Sequence, residues 1–423
     1  MVVALLLIGV VRVSLGGGSP LPLAARSSIS ATTAAASPAA STPASRSAQA
    51  VQLRTSLERL LGQHVFLSAR LVRSRIHGDP SYVQAAVNAL AHSTDDLTAL
   101  IVQVYGPSQG PEFRAVWESH EASIVSYARA LVDHDEQARD AARFALAAYP
   151  ARMTSYLQTL TSGALPAAAT ESAIRQHVAN QLTLADSVAK GDVTGSYVTE
   201  REDYGQLYRL ATAIAAGIAK QGGGSLPPDF DSPQRRLDSA LGELLGAHWE
   251  LAVDLMQAAP AGGPTFDAVG NEVNLNTNDL AAAMNVLFGE ATANRFLNLW
   301  GRHLEALVTY AQSVTSNDAS NRQAALTQLS DFEHRLGQLL STGTGGKLTA
   351  PQLADAYVMH DQMLLGQFDA FARHDFPTAY LQDYQGYQHM FGVADALATA
   401  IGPELAKRLP AGGVHTGGGG LAL

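Results

Sequence analysis

The chain repeats itself at an offset of 183 to 184 residues, and three histidines recur in register. His64, His120 and His177 stand at spacings of 56 and 57; His248, His303 and His360 stand at 55 and 57. Their surroundings recur as well. Leu60-Leu61-Gly62-Gln63-His64 matches Leu244-Leu245-Gly246-Ala247-His248, and Phe113-x3-Trp117-x2-His120 matches Phe296-x3-Trp300-x2-His303. A register kept over roughly 180 residues with a single one-residue slip marks a duplicated domain. Each half is long enough to bury a core of its own.

The periodicity inside each copy is helical. Leu53, Leu57, Leu60, His64, Leu67 and Leu71 step by three and four, as do Leu237, Leu241, Leu244, His248, Leu251 and Leu255. A third helix reads Phe113, Trp117, His120, Ile124, Tyr127 against Phe296, Trp300, His303, Leu307, Tyr310. A fifth reads Ile174, His177, Gln181 against Tyr357, His360, Leu364. Alanine and leucine dominate, and alternating Val/Ile/Thr runs are scarce, so the class is all-α. Gly/Pro breakers divide each half into six helices, giving two tandem up-down bundles. The helices are expected over about 51–76, 80–105, 111–133, 135–161, 170–190 and 196–220, then about 233–258, 265–288, 291–315, 318–341, 350–372 and 375–408.

The resulting organisation is an apolar leader over 1–26, a Ser/Ala/Thr/Pro tether over 27–50, a first bundle over 51–221, a Gly/Pro linker over 222–232, a second bundle over 233–410 and a Gly-rich tail over 411–423. Val2 to Val11 is too short for a membrane span and reads as the apolar part of a secretory signal, although no basic residue precedes it. The tether cannot bury enough apolar surface to offset its ordering entropy. Both features predict a secreted or cell-surface protein, with no membrane span beyond the leader. Net charge is −10 and no Lys/Arg stripe appears, which argues against nucleic acid as a partner. The chain has no cysteine, which excludes disulfides, thiolate metal sites and cysteine nucleophiles.

If the stripes face the core, all six repeated histidines point inward. The first, third and fifth helices of an up-down bundle run parallel, and the histidines fall at similar depths along them. Three converging imidazoles would hold Zn²⁺ or Cu²⁺, or iron if carboxylates join. Ligands bonded at about 2.0–2.1 Å require the three rings of each half to lie within roughly 8 Å of one another. Fourth ligands or supporting partners are sought among residues that also recur: Asp96 with Asp279, Asp186 with Asp369, and Tyr204 with Tyr387. Two alternatives stand beside metal binding. The histidines can knit the core of a structural or interaction module through hydrogen bonds, or the protein can be a metal-dependent enzyme. No catalytic residue is assigned: Glu118-Ser119-His120 has the wrong spacing for a ferritin-like motif, and no phosphate loop or nucleophile elbow is present. His77, His92, His134, His334, His374, His389 and His415 have no counterpart and read as surface residues.

Over both halves the chain resembles a family of uncharacterised helical-bundle proteins of bacilli. The resemblance rests on Leu60 to His64, on Tyr105-Gly106 through His120-Glu121, and on Ile174 to His177. It implies the helical fold and no activity. The sixth helix departs from the family pattern, with Tyr204 and Gln206 where histidines are expected and His389 in the second half alone.

Overall fold

A computed structural model describes residues 43–408, and those residues form two successive six-helix bundles. The first comprises α1 (Pro43–His77), α2 (Pro80–Tyr105), α3 (Gly110–Asp133), α4 (Glu136–Thr161), α5 (Ala167–Lys190) and α6 (Val193–Lys220). The second comprises α7 (Pro233–Ala258), α8 (Gly263–Phe288), α9 (Glu290–Ser316), α10 (Ala319–Gly343), α11 (Ala350–Ala372) and α12 (Phe376–Arg408). Short 3₁₀ turns at Pro107–Gln109 and Gln221–Gly223 complete the regular structure, and no strand occurs among the described residues.

Local signals set the helix ends, and several of them recur in both bundles. Asp135 and Asp318, 183 residues apart, each accept a backbone N–H from the first turn of α4 and α10. His134 and Asn317 end α3 and α9 in the left-handed conformation. Gly106 and Gly289 close α2 and α8 at φ 91° and 86°, a region that favours glycine. Thr349 and Gln352 form a reciprocal capping box on α11.

One sequence boundary shifts. Pro43 to Ala50, read as the end of the tether, belongs to α1, and Ala50 is fully buried. Its Ala/Ser/Gln/Arg composition is compatible with a helix once the stripe beginning at Leu53 is docked. The leader, the rest of the tether and the Gly-rich tail lie outside the described residues. No helix among the described residues is long and apolar enough to cross a membrane.

The two bundles share a core. α1 packs against α6 and α7 against α12, while α1 meets α7, α6 meets α8 and α12 meets α2. This exchange is what a two-fold relation between duplicated units produces. At its centre the equivalent tyrosines Tyr204 and Tyr387 meet hydroxyl to hydroxyl at 3.3 Å. Their rings lie against the equivalent glycines Gly62 and Gly246. A Cβ on Gly62 would sit 2.6 Å from the Tyr387 hydroxyl, and one on Gly246 2.9 Å from that of Tyr204. Beside them lies a buried ionic cluster. Arg70 reaches Asp254 at 2.7 Å, Glu250 at 2.7 Å and Asp383 at 2.5 Å, and Asp383 also accepts from Trp249 Nε1 at 2.8 Å.

Candidate metal centres

In each bundle the helix stripes bring the three repeated histidines to one level. The ring centroids of His64, His120 and His177 are 5.3, 5.6 and 5.9 Å apart; those of His248, His303 and His360 are 5.8, 5.6 and 5.6 Å apart. Every one of the six is at most 3 % exposed. In each triad one ring nitrogen per histidine lies within 4.8 Å of the other two. Both triads are therefore geometrically possible metal sites. Aromatic rings wall them in: Trp117 and Tyr149 contact His120, and Trp300 and Phe332 contact His303.

Hydrogen bonds orient the first triad. The His120 Nδ1–H donates to the Trp117 carbonyl at 2.5 Å, because a carbonyl can only accept. His177 Nδ1 lies 2.9 Å from the Asp203 carboxylate, which fixes its proton on that side too. The Nε2 atoms of His120 and His177 then carry lone pairs: His177 Nε2 has no hydrogen-bond partner, and His120 Nε2 accepts from His64 Nε2–H at 3.3 Å. Behind His64, Nδ1 faces Glu121 at 3.6 Å. Glu121 itself accepts from Trp117 Nε1 and Thr94 Oγ1, both at 2.9 Å. Asp203 is held in turn by Gln181 and Asn180. A carboxylate or carbonyl behind each imidazole is the arrangement that orients metal-ligating histidines.

The second triad keeps the histidines and changes the support. Position for position, Glu121 becomes Leu304 and Asp203 becomes Gly386. The Trp249 ring covers Gly386, where a Cβ would meet it at 2.0 Å. Asp361 enters instead, 3.5 Å from His303 Nδ1 and 3.9 Å from His360 Nε2. None of the six ring nitrogens of this triad has a hydrogen-bond partner. Buried polar atoms without partners carry a cost of about 1–3 kcal/mol each, so their convergence here needs a compensating group.

Burial sets the electrostatics. It pushes His120 down to about 3, with His177 adding to the effect, and His248 down to about 3 on its own. His64, His303 and His360 are also held well below the ordinary imidazole range, first by burial and then by neighbouring rings. These imidazoles are neutral, the form that coordinates a metal. Burial also raises Glu121 to about 7 despite its two donors, and holds Asp361 well above the carboxylate range, with Glu333 adding to it.

The six recurring residues sought as supports lie elsewhere. Asp186 and Asp369 accept from Tyr127 and Tyr310 at 2.6 and 3.0 Å, beside Arg143 and Arg322. Asp96 accepts from Tyr384, Asp279 pairs with Arg201 at 3.1 Å, and Tyr204 and Tyr387 join the bundles. Tyr127, Tyr310 and Tyr384 place these acids at helix contacts rather than behind a histidine. Among the unmatched histidines, His77, His92, His134, His334 and His374 are exposed, and His415 lies outside the described residues. His389 departs from the surface reading: it is half-buried, with Nε2 2.9 Å from the Ala356 carbonyl.

No protein-family model, curated protein or solved structure matches the chain.

Proposed function

We propose that the protein binds one transition-metal ion in each bundle, His64, His120 and His177 forming one ligand set and His248, His303 and His360 the other. The observation that carries this reading is the tautomer constraint in the first bundle. With the protons of His120 and His177 directed outward to the Trp117 carbonyl and the Asp203 carboxylate, their Nε2 atoms are left with lone pairs; His120 Nε2 stands 3.3 Å from His64 Nε2, and one nitrogen of each ring lies within 4.8 Å of the other two. Such a centre favours a cation. An all-nitrogen set suits Zn²⁺ or Cu²⁺, and the Asp361 carboxylate makes the second set acceptable to iron as well. The apolar run Val2 to Val11 and the Ser/Ala/Thr/Pro stretch after it support a place of action outside the cytoplasm.

Metal analysis of the untagged full chain, purified without chelator, tests the reading. Two equivalents are expected in the wild type and one in His120→Ala. A free metal concentration a hundredfold above Kd should stabilise the wild type by about 2.7 kcal/mol per occupied site relative to chelator. Equal destabilisation of His120→Ala in chelator and in metal would assign the histidines to a core hydrogen-bond network instead.

A further inference from the structure

We infer that a cleft in the second bundle binds an organic phosphate, with arginines holding the anionic group and apolar side chains receiving the carbon skeleton. The cleft measures about 940 Å³ and lies between the end of α8, α9 and α10. That volume suits a small molecule. Arg295, Arg302 and Arg335 line it, and no acidic residue does, although the chain carries 38 acidic against 28 basic residues. Arg295 and Arg302 stand seven residues apart on one face of α9, about 10 Å along its axis. Both are exposed, and neither forms an ion pair with a described residue. Arg335 on α10 bonds Asp331 through Nε at 2.7 Å. Phe288, Leu299 and Leu339 add half-buried apolar surface, and Val286, also in the lining, is 57 % exposed. A guanidinium presents paired donors that match phosphate oxygens two at a time, which makes arginine the residue for such a group.

The first bundle shows what the same place looks like without these features. At the equivalent positions Arg295 becomes Glu112 and Arg302 becomes Ser119, while Arg335 keeps its charge as Arg152. One acid and one base there replace three bases. The space differs as well. The 3₁₀ turn Pro107–Gln109 precedes α3, whereas α9 starts directly after Gly289. Tyr156 of α4 is buried and donates its hydroxyl to the Gln109 carbonyl at 3.2 Å, which ties that turn to α4. Its equivalent is Leu339, which has no hydroxyl, and the buried Leu160 is replaced by Gly343. A Cβ on Gly343 would stand 2.9 Å from the Phe288 ring, so the glycine lets that ring lie against α10. Two smaller side chains and two added arginines thus coincide in one cleft. A site for a bulky anion requires that combination, and helix packing does not. A soluble phosphate ester and a phospholipid headgroup would present the same group to the arginines.

The test uses the full chain stripped of metal on a chelating resin, so that no phosphate–metal contact contributes and the outcome does not depend on the histidine centres. Naphthyl phosphate is titrated calorimetrically into the wild type and into the double variant Arg295→Glu, Arg302→Ser, which installs the first bundle's own residues at two exposed positions. One ligand per chain is expected, with affinity falling at least about tenfold in the double variant and falling also at high salt. Sedimentation with phosphatidylcholine vesicles containing phosphatidic acid separates the two sources. A wild type that sediments and a double variant that does not assign the phosphate to a lipid headgroup; binding of the soluble ester alone assigns it to a free organic phosphate. Equal binding by wild type and double variant, naphthol binding as tightly as naphthyl phosphate, or no binding of either ester or vesicles would overturn the inference. The comparison of naphthol with its phosphate on the wild type, together with Arg302→Ser alone, decides the matter even if the double variant does not fold.

Discussion

Replacing Arg70 with methionine tests the physical account of how the two bundles are joined. The guanidinium is 3 % exposed and faces Asp254, Glu250 and Asp383 at 2.7, 2.7 and 2.5 Å, and it also donates to the Glu250 carbonyl at 2.9 Å. Methionine keeps much of the volume and removes the charge. Three buried acids then lose their shared cation, and removing one member of a buried ion group typically destabilises by about 3–5 kcal/mol. With an unfolding entropy of about 2.1 cal/mol/K per residue, that loss lowers Tm by about 4–6 °C for a folded part of this length. The pH dependence is the sharper reading. Burial already holds Glu250 well above the carboxylate range and raises Asp383, against the opposing pull of Arg70. Without Arg70 their folded-state values rise further, and an acid whose folded value is raised stabilises at low pH and loses that contribution as pH rises through the folded value. The deficit of Arg70→Met relative to wild type should therefore be larger at pH 8 than at pH 5. Chemical denaturation of both proteins across that range measures it. A deficit below about 1 kcal/mol, or one that grows on acidification, would refute the reasoning.

Three further outcomes follow from the contacts. Gly386→Ala drives a methyl into the Trp249 ring at 2.0 Å and should destabilise by at least about 1–3 kcal/mol, with Trp249→Leu in the same chain recovering part of the loss by denaturant titration. Burial raises Glu243 from 4.5 to about 7, so its contribution is present below pH 4.5 and is lost between there and 7; Glu243→Gln should remove up to about 1.4 kcal/mol per pH unit of that slope in stability measurements. Tyr204→Phe deletes a hydroxyl that donates to the Glu243 carbonyl at 3.1 Å and meets Tyr387; a loss of about 1 kcal/mol is expected, non-additive with Tyr387→Phe in a double-mutant cycle.

The candidate site was legible in the sequence as far as periodicity reaches. His64, His120 and His177 each sit within an apolar stripe, and a stripe defines which face of a helix turns inward. Their common level followed from similar depths along parallel helices. The groups behind the rings were not legible in that way. Recurrence selected Asp96, Asp186 and Tyr204 with their partners, yet Glu121, Asp203 and Asp361 are the acids that face imidazoles, and none of the three recurs. Glu121 carried one local signal, standing one turn after Trp117 on the face that holds His120. Asp203 and Asp361 carried none, because their relation to a ring depends on how α6 packs against α5 and on how far α11 is rotated.

By itself the sequence determined the helical class, the duplication, the helix boundaries to within a few residues except at the start of α1, and the inward direction of six histidines. All of these are properties of one chain segment compared with itself or with its copy. Tertiary structure alone decided that the bundles share a core, that Arg70 pairs with Asp254, the residue at its own equivalent position, and that the two histidine sets receive different carboxylates. The physical reason is that duplication copies local patterns, whereas a contact between copies brings each element against a different partner. Substitutions there are selected by the neighbour across the two-fold relation, and periodicity along the chain does not record that neighbour.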